Sequence, residues 1–441
     1  MYEEIVSGLT SFIGKSPTPF HAVANIGGIL RENGYQRLWE GEKWQLSPGG
    51  KYYVTRNDSS IIALNVGTRL EDYCFKIAAS HSDSPTFKIK ENAEIKVKEK
   101  YMKLNTEGYG GMLCAAWFDR PLSVAGRVMV RDKGRYEARL LNIDRDLLMI
   151  PSVAIHMNRG VNDGYAYNKQ VDLLPLLGGS ECKEGDFKKL IAGELKVEEE
   201  NIYGMDLYLY NRMKPSVWGA KKEFISCPQL DDLQCSYTSL QGFLKGADDQ
   251  AVNIFACFDN EEVGSGTKQG AGSTFLYDTL YRLNMCLGMG EEDFFRAASK
   301  GLMLSCDNAH AVHPNHPDKT DTGNCVYINE GIVVKSHAGQ KYTSDAVSIA
   351  VFRGICKEAG VPLQFFSNRS DMAGGSTLGN IAMSHVSMNS IDIGLAQLAM
   401  HSAYETAGVK DSYYMIQAAA RFLPNGSKRY RFSRPYSLRS I

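Results

Sequence analysis

Two adjacent acids at the end of an apolar run constrain this chain more than any other feature. Residues Ala251 to Phe258 read as a buried strand, and they run straight into Asp259-Asn260-Glu261-Glu262-Val263-Gly264. Two carboxylates where a buried strand ends are unfavourable unless an opposite charge compensates them. A metal ion does so. In metal-assisted hydrolysis one carboxylate can ligate the ion while its neighbour takes a proton from water. The alternative is an acidic loop closed by a glycine turn, and this run alone does not separate the two.

The texture around the pair predicts an α/β fold. Helical segments over 5–13 and 20–33 precede short β runs at 52–54 and 61–64 and a strand at 75–79 that leads into His81. After about 225, a helical stretch beginning at Asp231, the 251–258 strand, a strand at 301–305 feeding Asp307, a helix over 344–359 capped by Ser344, and a strand at 391–394 follow one another. Strands alternating with helices predict a mixed, largely parallel sheet sandwiched by helices. Between these parts the period changes to two, as in Glu94-Ile95-Lys96-Val97-Lys98 and Gly126-Arg127-Val128-Met129-Val130, with polar turns such as Arg131-Asp132-Lys133-Gly134. That alternation marks half-exposed antiparallel strands. The expected organisation is a discontinuous α/β domain from residues 1–91 and 225–441, interrupted by a mostly β insertion over 92–224.

Composition narrows the class. The 441 residues carry 49 basic and 50 acidic side chains, a balance that argues against nucleic-acid or membrane-surface binding. No apolar stretch reaches the roughly 20 residues of a membrane span, and the start, Met-Tyr-Glu-Glu-Ile, lacks the basic and apolar regions of a signal peptide. Ten cysteines include no Cys-x-x-Cys pair. Cys114, Cys257 and Cys286 have small or apolar neighbours and are expected to be buried free thiols, which points to the cytoplasm.

Several strands end in a possible metal ligand or reach one soon after: His81, the Glu261-Glu262 pair, Asp307, and His401 across a short loop. Open α/β sheets place their sites at the carboxyl ends of strands. In His81-Ser82-Asp83 the i and i+2 side chains point the same way, so Asp83 can accept a hydrogen bond from the imidazole and fix its tautomer. Asp231-Asp232 read alone would be a helix cap, and a lone histidine such as His401 would more often belong to a core. Taken together, two histidines and three carboxylates can hold two divalent ions, each with an open place for water.

The chain resembles the aspartyl aminopeptidase family of dinuclear zinc exopeptidases over nearly its whole length. The similarity is carried by Lys15-Ser16-Pro17-Thr18-Pro19-Phe20-His21, His81-Ser82-Asp83-Ser84-Pro85, Asp119-Arg120-Pro121-Leu122, Asp259 to Ser265, Ala309-His310-Ala311-Val312-His313-Pro314-Asn315, Gly374-Gly375-Ser376-Thr377-Leu378-Gly379 and Met400-His401-Ser402. The resemblance implies that His81, Asp231, Glu262, Asp307 and His401 ligate two ions, Zn²⁺ foremost with Co²⁺ or Mn²⁺ as alternatives, and that Asp231 bridges them. It makes Glu261 the general base and Asp83 the residue that orients His81. His156, in Pro151-Ser152-Val153-Ala154-Ile155-His156, occupies the motif that completes a neighbouring subunit's site. Lys335 matches a position that could pair with an acidic substrate side chain. A cytoplasmic aminopeptidase acting on unblocked peptides follows, built from dimers into a dodecamer through the inserted domain. The rival readings are a related amidohydrolase acting on non-peptide amides, and a catalytically silent scaffold.

This sequence departs from the family pattern near the site. Asn260 stands where the family has His, and Gln229-Leu230-Asp231-Asp232 replaces Arg-Leu-Asp-Asn. Neither change removes a ligand or the base, but the second makes the shell more negative by two charges.

Overall fold

Every residue of Ala251–Phe258, Cys74–His81 and Leu302–Cys306 is buried, as expected of strands covered on both faces. The computed structural model describes residues 1–246 and 248–423. In it, these strands form the middle of a nine-stranded sheet. Its spatial order is Gln36–Leu38, Lys51–Arg56, Ser60–Val66, Ala251–Phe258, Cys74–His81, Leu302–Cys306, Asn389–Gly394, Ile332–Lys335, Leu363–Phe366. The strands Ala251–Phe258, Cys74–His81, Leu302–Cys306 and Asn389–Gly394 are mutually parallel neighbours. Antiparallel partners flank them on each side, Ser60–Val66 on one and Ile332–Lys335 on the other.

Alternate residues of each strand face opposite cores. Ile61 and Ala63 join the core under the helices Tyr2–Gly14, Pro19–Glu32, Leu230–Phe243 and Asp411–Phe422, whereas Ile62 and Leu64 join the one under Phe275–Cys286 and Glu291–Lys300. The helix over Ala346–Ala359 is capped by Asp345, whose side chain accepts the Ser348 N–H, rather than by Ser344. The Ser344 hydroxyl instead bonds the backbone of Asp392. Cys257 is buried as expected, but Cys114 is only half-buried and Cys286, in the last turn of an amphipathic helix, is exposed. Among the described residues no disulfide joins any of the cysteines. No helix among the described residues is long and apolar enough to cross a membrane.

The inserted region folds into a six-stranded antiparallel sheet, ordered Arg135–Asn142, Leu122–Asp132, Ile202–Asn211, Thr86–Val97, Tyr101–Tyr109, Leu176–Gly178, with its own core around Phe87, Trp117 and Leu209. The turn between two of its strands uses positive φ at Lys133 and Gly134, the backbone that tight hairpins need. This sheet begins at Thr86, because Thr86 and Phe87 already pair with Tyr109 and Gly108, and it ends at Asn211. The following strands, Ser216–Trp218 and Phe224–Cys227, belong to a third sheet with Glu405–Gly408, Ala396–Leu398 and Ala309–His310. Strands of two to four residues carry too little periodicity to be read from sequence.

Candidate active site

The parallel strands deliver their ends to one place. Phe258 pairs with His81 in register, so the acid pair that follows Phe258 lies beside the imidazole. Asn260, in left-handed conformation at φ 64°, turns the chain so that Glu261 and Glu262 fold back as a short 3₁₀ turn. Asp307 follows Cys306 on the next strand. Gly394 allows that approach, since a Cβ there would fall 1.9 Å from the Asp307 carbonyl oxygen. Asp231 and Asp232 open the helix over Leu230–Phe243 with non-helical backbone, which aims both side chains at the same point.

Among the described residues, two groups of potential ligands result. His81, Asp231, Asp232 and Asp307 form one, and Asp231, Glu262 and His401 the other, with ligand atoms in each group within 4.8 Å of one another. Asp231 belongs to both. Its Oδ1 lies 3.5 Å from His81 Nε2 and its Oδ2 lies 3.5 Å from His401 Nε2. Glu262 Oε2 stands 3.3 Å from His401 Nε2. His401 Nδ1 donates to the Gly111 carbonyl at 2.7 Å, which leaves Nε2 free to ligate. The Asp83 carboxylate accepts the backbone N–H groups of Glu261 and Glu262, each at 3.1 Å. The nearer partner of His81 Nδ1 is the Asp83 backbone carbonyl at 3.1 Å, with the carboxylate at 3.4 Å.

Burial of so many acids perturbs several of them. Burial pushes Glu261 up to about 8, and Asp307, Asp83 and Asp231 add to the effect against the opposing pull of His81. Burial likewise raises Glu262, Asp232 and Asp307. Asp231 goes the other way: His401 and His81 on either side outweigh its burial and hold it below the usual carboxylate range. Burial would lower His401, but Asp231 raises it to about 9. A cluster of this composition is relieved by cations. The donor set fits a divalent ion on a second ground. Asp231 Oδ1 and Asp232 Oδ1 are buried with no hydrogen-bond partner, a costly state that a cation removes.

The acids border a cavity of about 270 Å³, also lined by His310, Lys335, Tyr342 and residues 375–377. Lys335 is 2% exposed, not a solvated strand-end lysine. Its Nζ donates to the carbonyls of Asp307 at 2.8 Å and Asn308 at 3.3 Å and lies 3.5 Å from the Asp307 carboxylate. His156 is exposed on a loop of the inserted domain and does not line this cavity. Sequence reasoning missed Glu405. This buried acid accepts the backbone N–H of His401 at 2.6 Å and of Asp231 at 3.0 Å, tying together two residues of the second group. Its position four residues after His401, at the start of the short strand Glu405–Gly408, is the one signal a sequence offers.

Imidazoles and carboxylates converging at the carboxyl edge of a helix-covered sheet, beside a small cavity, define a metal-dependent hydrolase. Residues 12–423 match the model of the aminopeptidase I zinc metalloproteases (M18), and the chain belongs to that family. It is 48% identical over 425 residues to a probable M18 family aminopeptidase 2 of Clostridium acetobutylicum, covering 95% of this chain and 98% of the relative. Its fold matches that in the cryo-EM structure of the Ape4 and Nbr1 complex at TM-score 0.91 and 33% identity, over 96% of this chain and 85% of that one. The S. cerevisiae mApe1 dodecamer gives TM-score 0.83 at 25% identity, over 96% of each chain. The chain is thus a zinc aminopeptidase by family.

Proposed function

We propose that this enzyme removes N-terminal residues, acidic ones preferentially, from peptides with a free amino group, using two divalent ions. His81 and Asp307 would hold one, Glu262 and His401 the other, with Asp231 between them. The observation that carries this reading is the position of Asp231, with one carboxylate oxygen toward each histidine. Bound there, the ions supply Lewis acidity, polarising the scissile carbonyl and making water a better nucleophile near neutral pH. Glu261 belongs to neither ligand group and is free to take the proton of the attacking water and return it to the leaving amine. Asp83 holds the backbone of both glutamates and steadies the His81 ring.

Lys335 is the specificity residue in this reading. Two of its donors are engaged by carbonyls, but the Asp307 carboxylate at 3.5 Å lies beyond hydrogen-bond length. When Asp307 ligates an ion, the third ammonium proton can meet a substrate carboxylate. His156 acts on a neighbouring subunit's site. Val153, Ile155 and Met157 around it are 54%, 47% and 82% exposed, as suits an interface, and the similar mApe1 is a dodecamer. Cysteines without a disulfide among the described residues fit the reducing cytoplasm.

The test is hydrolysis of unblocked aminoacyl-arylamides before and after chelation and metal add-back. Acidic residues released, lost with chelator and restored by metal, support the whole reading. Release of neutral residues discards the acidic pocket, and cleavage of N-acylated amides alone favours an amidohydrolase. No turnover with any ion leaves a scaffold.

A further inference from the structure

Tyr109, the last residue of a strand of the inserted sheet, and the two glycines after it each touch a different part of the acid and imidazole cluster of the other domain. Tyr109 ends the strand Tyr101–Tyr109, and its hydroxyl donates to Asp83 Oδ2 at 2.7 Å. Gly110 has φ 75° and lies so close that a Cβ would sit 3.2 Å from the Cβ of Glu262. The Gly111 carbonyl accepts from His401 Nδ1 at 2.7 Å. The Tyr109 ring is itself braced edge-on by Tyr208 of the same sheet, with centroids 5.8 Å apart.

The hydrogen bond from Tyr109 has a direction imposed on it. Thr267 Oγ1 and Gln269 Nε2 both donate to Asn260 Oδ1, at 2.8 and 2.7 Å. The Asn260 amide must therefore present Nδ2 to Tyr109, and it donates to that hydroxyl at 2.8 Å. A phenol has one proton. With its oxygen accepting from Asn260, that proton goes to Asp83. Asp83 then accepts the N–H of Glu261 and of Glu262 and stands 3.4 Å from His81 Nδ1.

We propose that Tyr109 is a positioning residue for the general base, supplied by the inserted domain of the same chain, and that Asn260 sets the direction of its bond. The inference rests on the function proposed above. It assigns the inserted sheet a part in each subunit's own site, separate from any role between subunits.

The experiment uses the full-length protein, its Tyr109→Phe and Asn260→Asp variants, and the double variant. Asp tolerates the left-handed backbone at 260, but a carboxylate there would accept from Tyr109 and turn its proton away from Asp83. Each single change should lower kcat about tenfold, in the range seen for groups that orient metal ligands, with KM within about twofold. The visible absorption of the Co²⁺-loaded protein should shift in both. The double variant should be no worse than the worse single, because the Tyr109 hydroxyl no longer serves Asp83 once residue 260 is an acid. Urea unfolding reports on folding, and if Tyr109→Phe fails to fold, Asn260→Asp, which keeps every ring, carries the test alone. Wild-type kcat and an unchanged Co²⁺ spectrum in a folded variant would overturn the relay while leaving the aminopeptidase reading intact. A wild-type protein that binds no divalent ion would overturn both.

Discussion

Lys335→Met tests both what the buried lysine does for the protein and what it does for the substrate. Burial would lower this ammonium, but Asp307 outweighs it and keeps it charged well above neutral pH. The substitution keeps the volume and removes three donors. Two carbonyls lose their partner and Asp307 loses its nearest cation. Breaking a buried pair costs about 3–5 kcal/mol, so the metal-free variant should unfold at clearly lower urea. The metal-loaded variant should lose less, because an ion then answers the Asp307 charge. A charge-assisted hydrogen bond to a substrate carboxylate contributes about 1.5–3 kcal/mol, so the acidic-to-neutral ratio of kcat/KM should fall roughly 10- to 100-fold. The assay compares glutamyl or aspartyl arylamides with alanyl and leucyl ones. If both classes fall equally and the ratio stays put, Lys335 only props Asp307, and the specificity argument fails.

Three further outcomes follow from the geometry. Glu261→Gln should lower kcat by about 10²–10⁴ while metal content, measured by elemental analysis, is unchanged; full turnover in a loaded variant would remove Glu261 as the base. His156→Ala and Glu261→Gln subunits, each nearly inactive alone, should recover activity when unfolded and refolded together, because a mixed assembly pairs an intact base with a neighbour's histidine; no recovery would put His156 outside the site. Burial lowers His21 to about 4 from an ordinary 6.5, so the unfolded chain takes up that proton first, and stability is lost as pH falls from 6.5 towards 4, by up to about 3 kcal/mol. His21→Gln should flatten that part of the urea-unfolding profile, and an unchanged slope would show that the ring is not held neutral.

What the sequence made legible were the features with a large local cost. Strands buried on both faces have to be apolar, so Ala251–Phe258 and Cys74–His81 stood out, and acids directly after such runs demanded an explanation. What stayed hidden arises from contacts between distant segments. Tyr109 and Asn260 meet across 151 positions, and neither carries a local signal. Glu405 belongs to a four-residue strand. The cap at Asp345 and the expected one at Ser344 are adjacent residues with equal capping ability.

The two departures from the family pattern have different consequences in the fold. Asn260 is matched to its surroundings. Its carbonyl takes two hydrogen bonds, from Thr267 and Gln269, while its amide donates a third. A neutral imidazole has one donor and one acceptor and could not do all three, so the substitution comes with Thr267 and Gln269 as its complement. Asp232 has no such complement. One oxygen accepts the His81 N–H at 3.1 Å and the other has no partner. Gln229, which stands where the family has Arg, turns to the Pro17 carbonyl and offsets no charge. The added carboxylate raises the cost of leaving the cluster without cations, and among the described residues Lys335 is the single lysine bordering its cavity. An acidic substrate would therefore meet a site already rich in carboxylates, and a preference for it would have to come from ions held there together with Lys335.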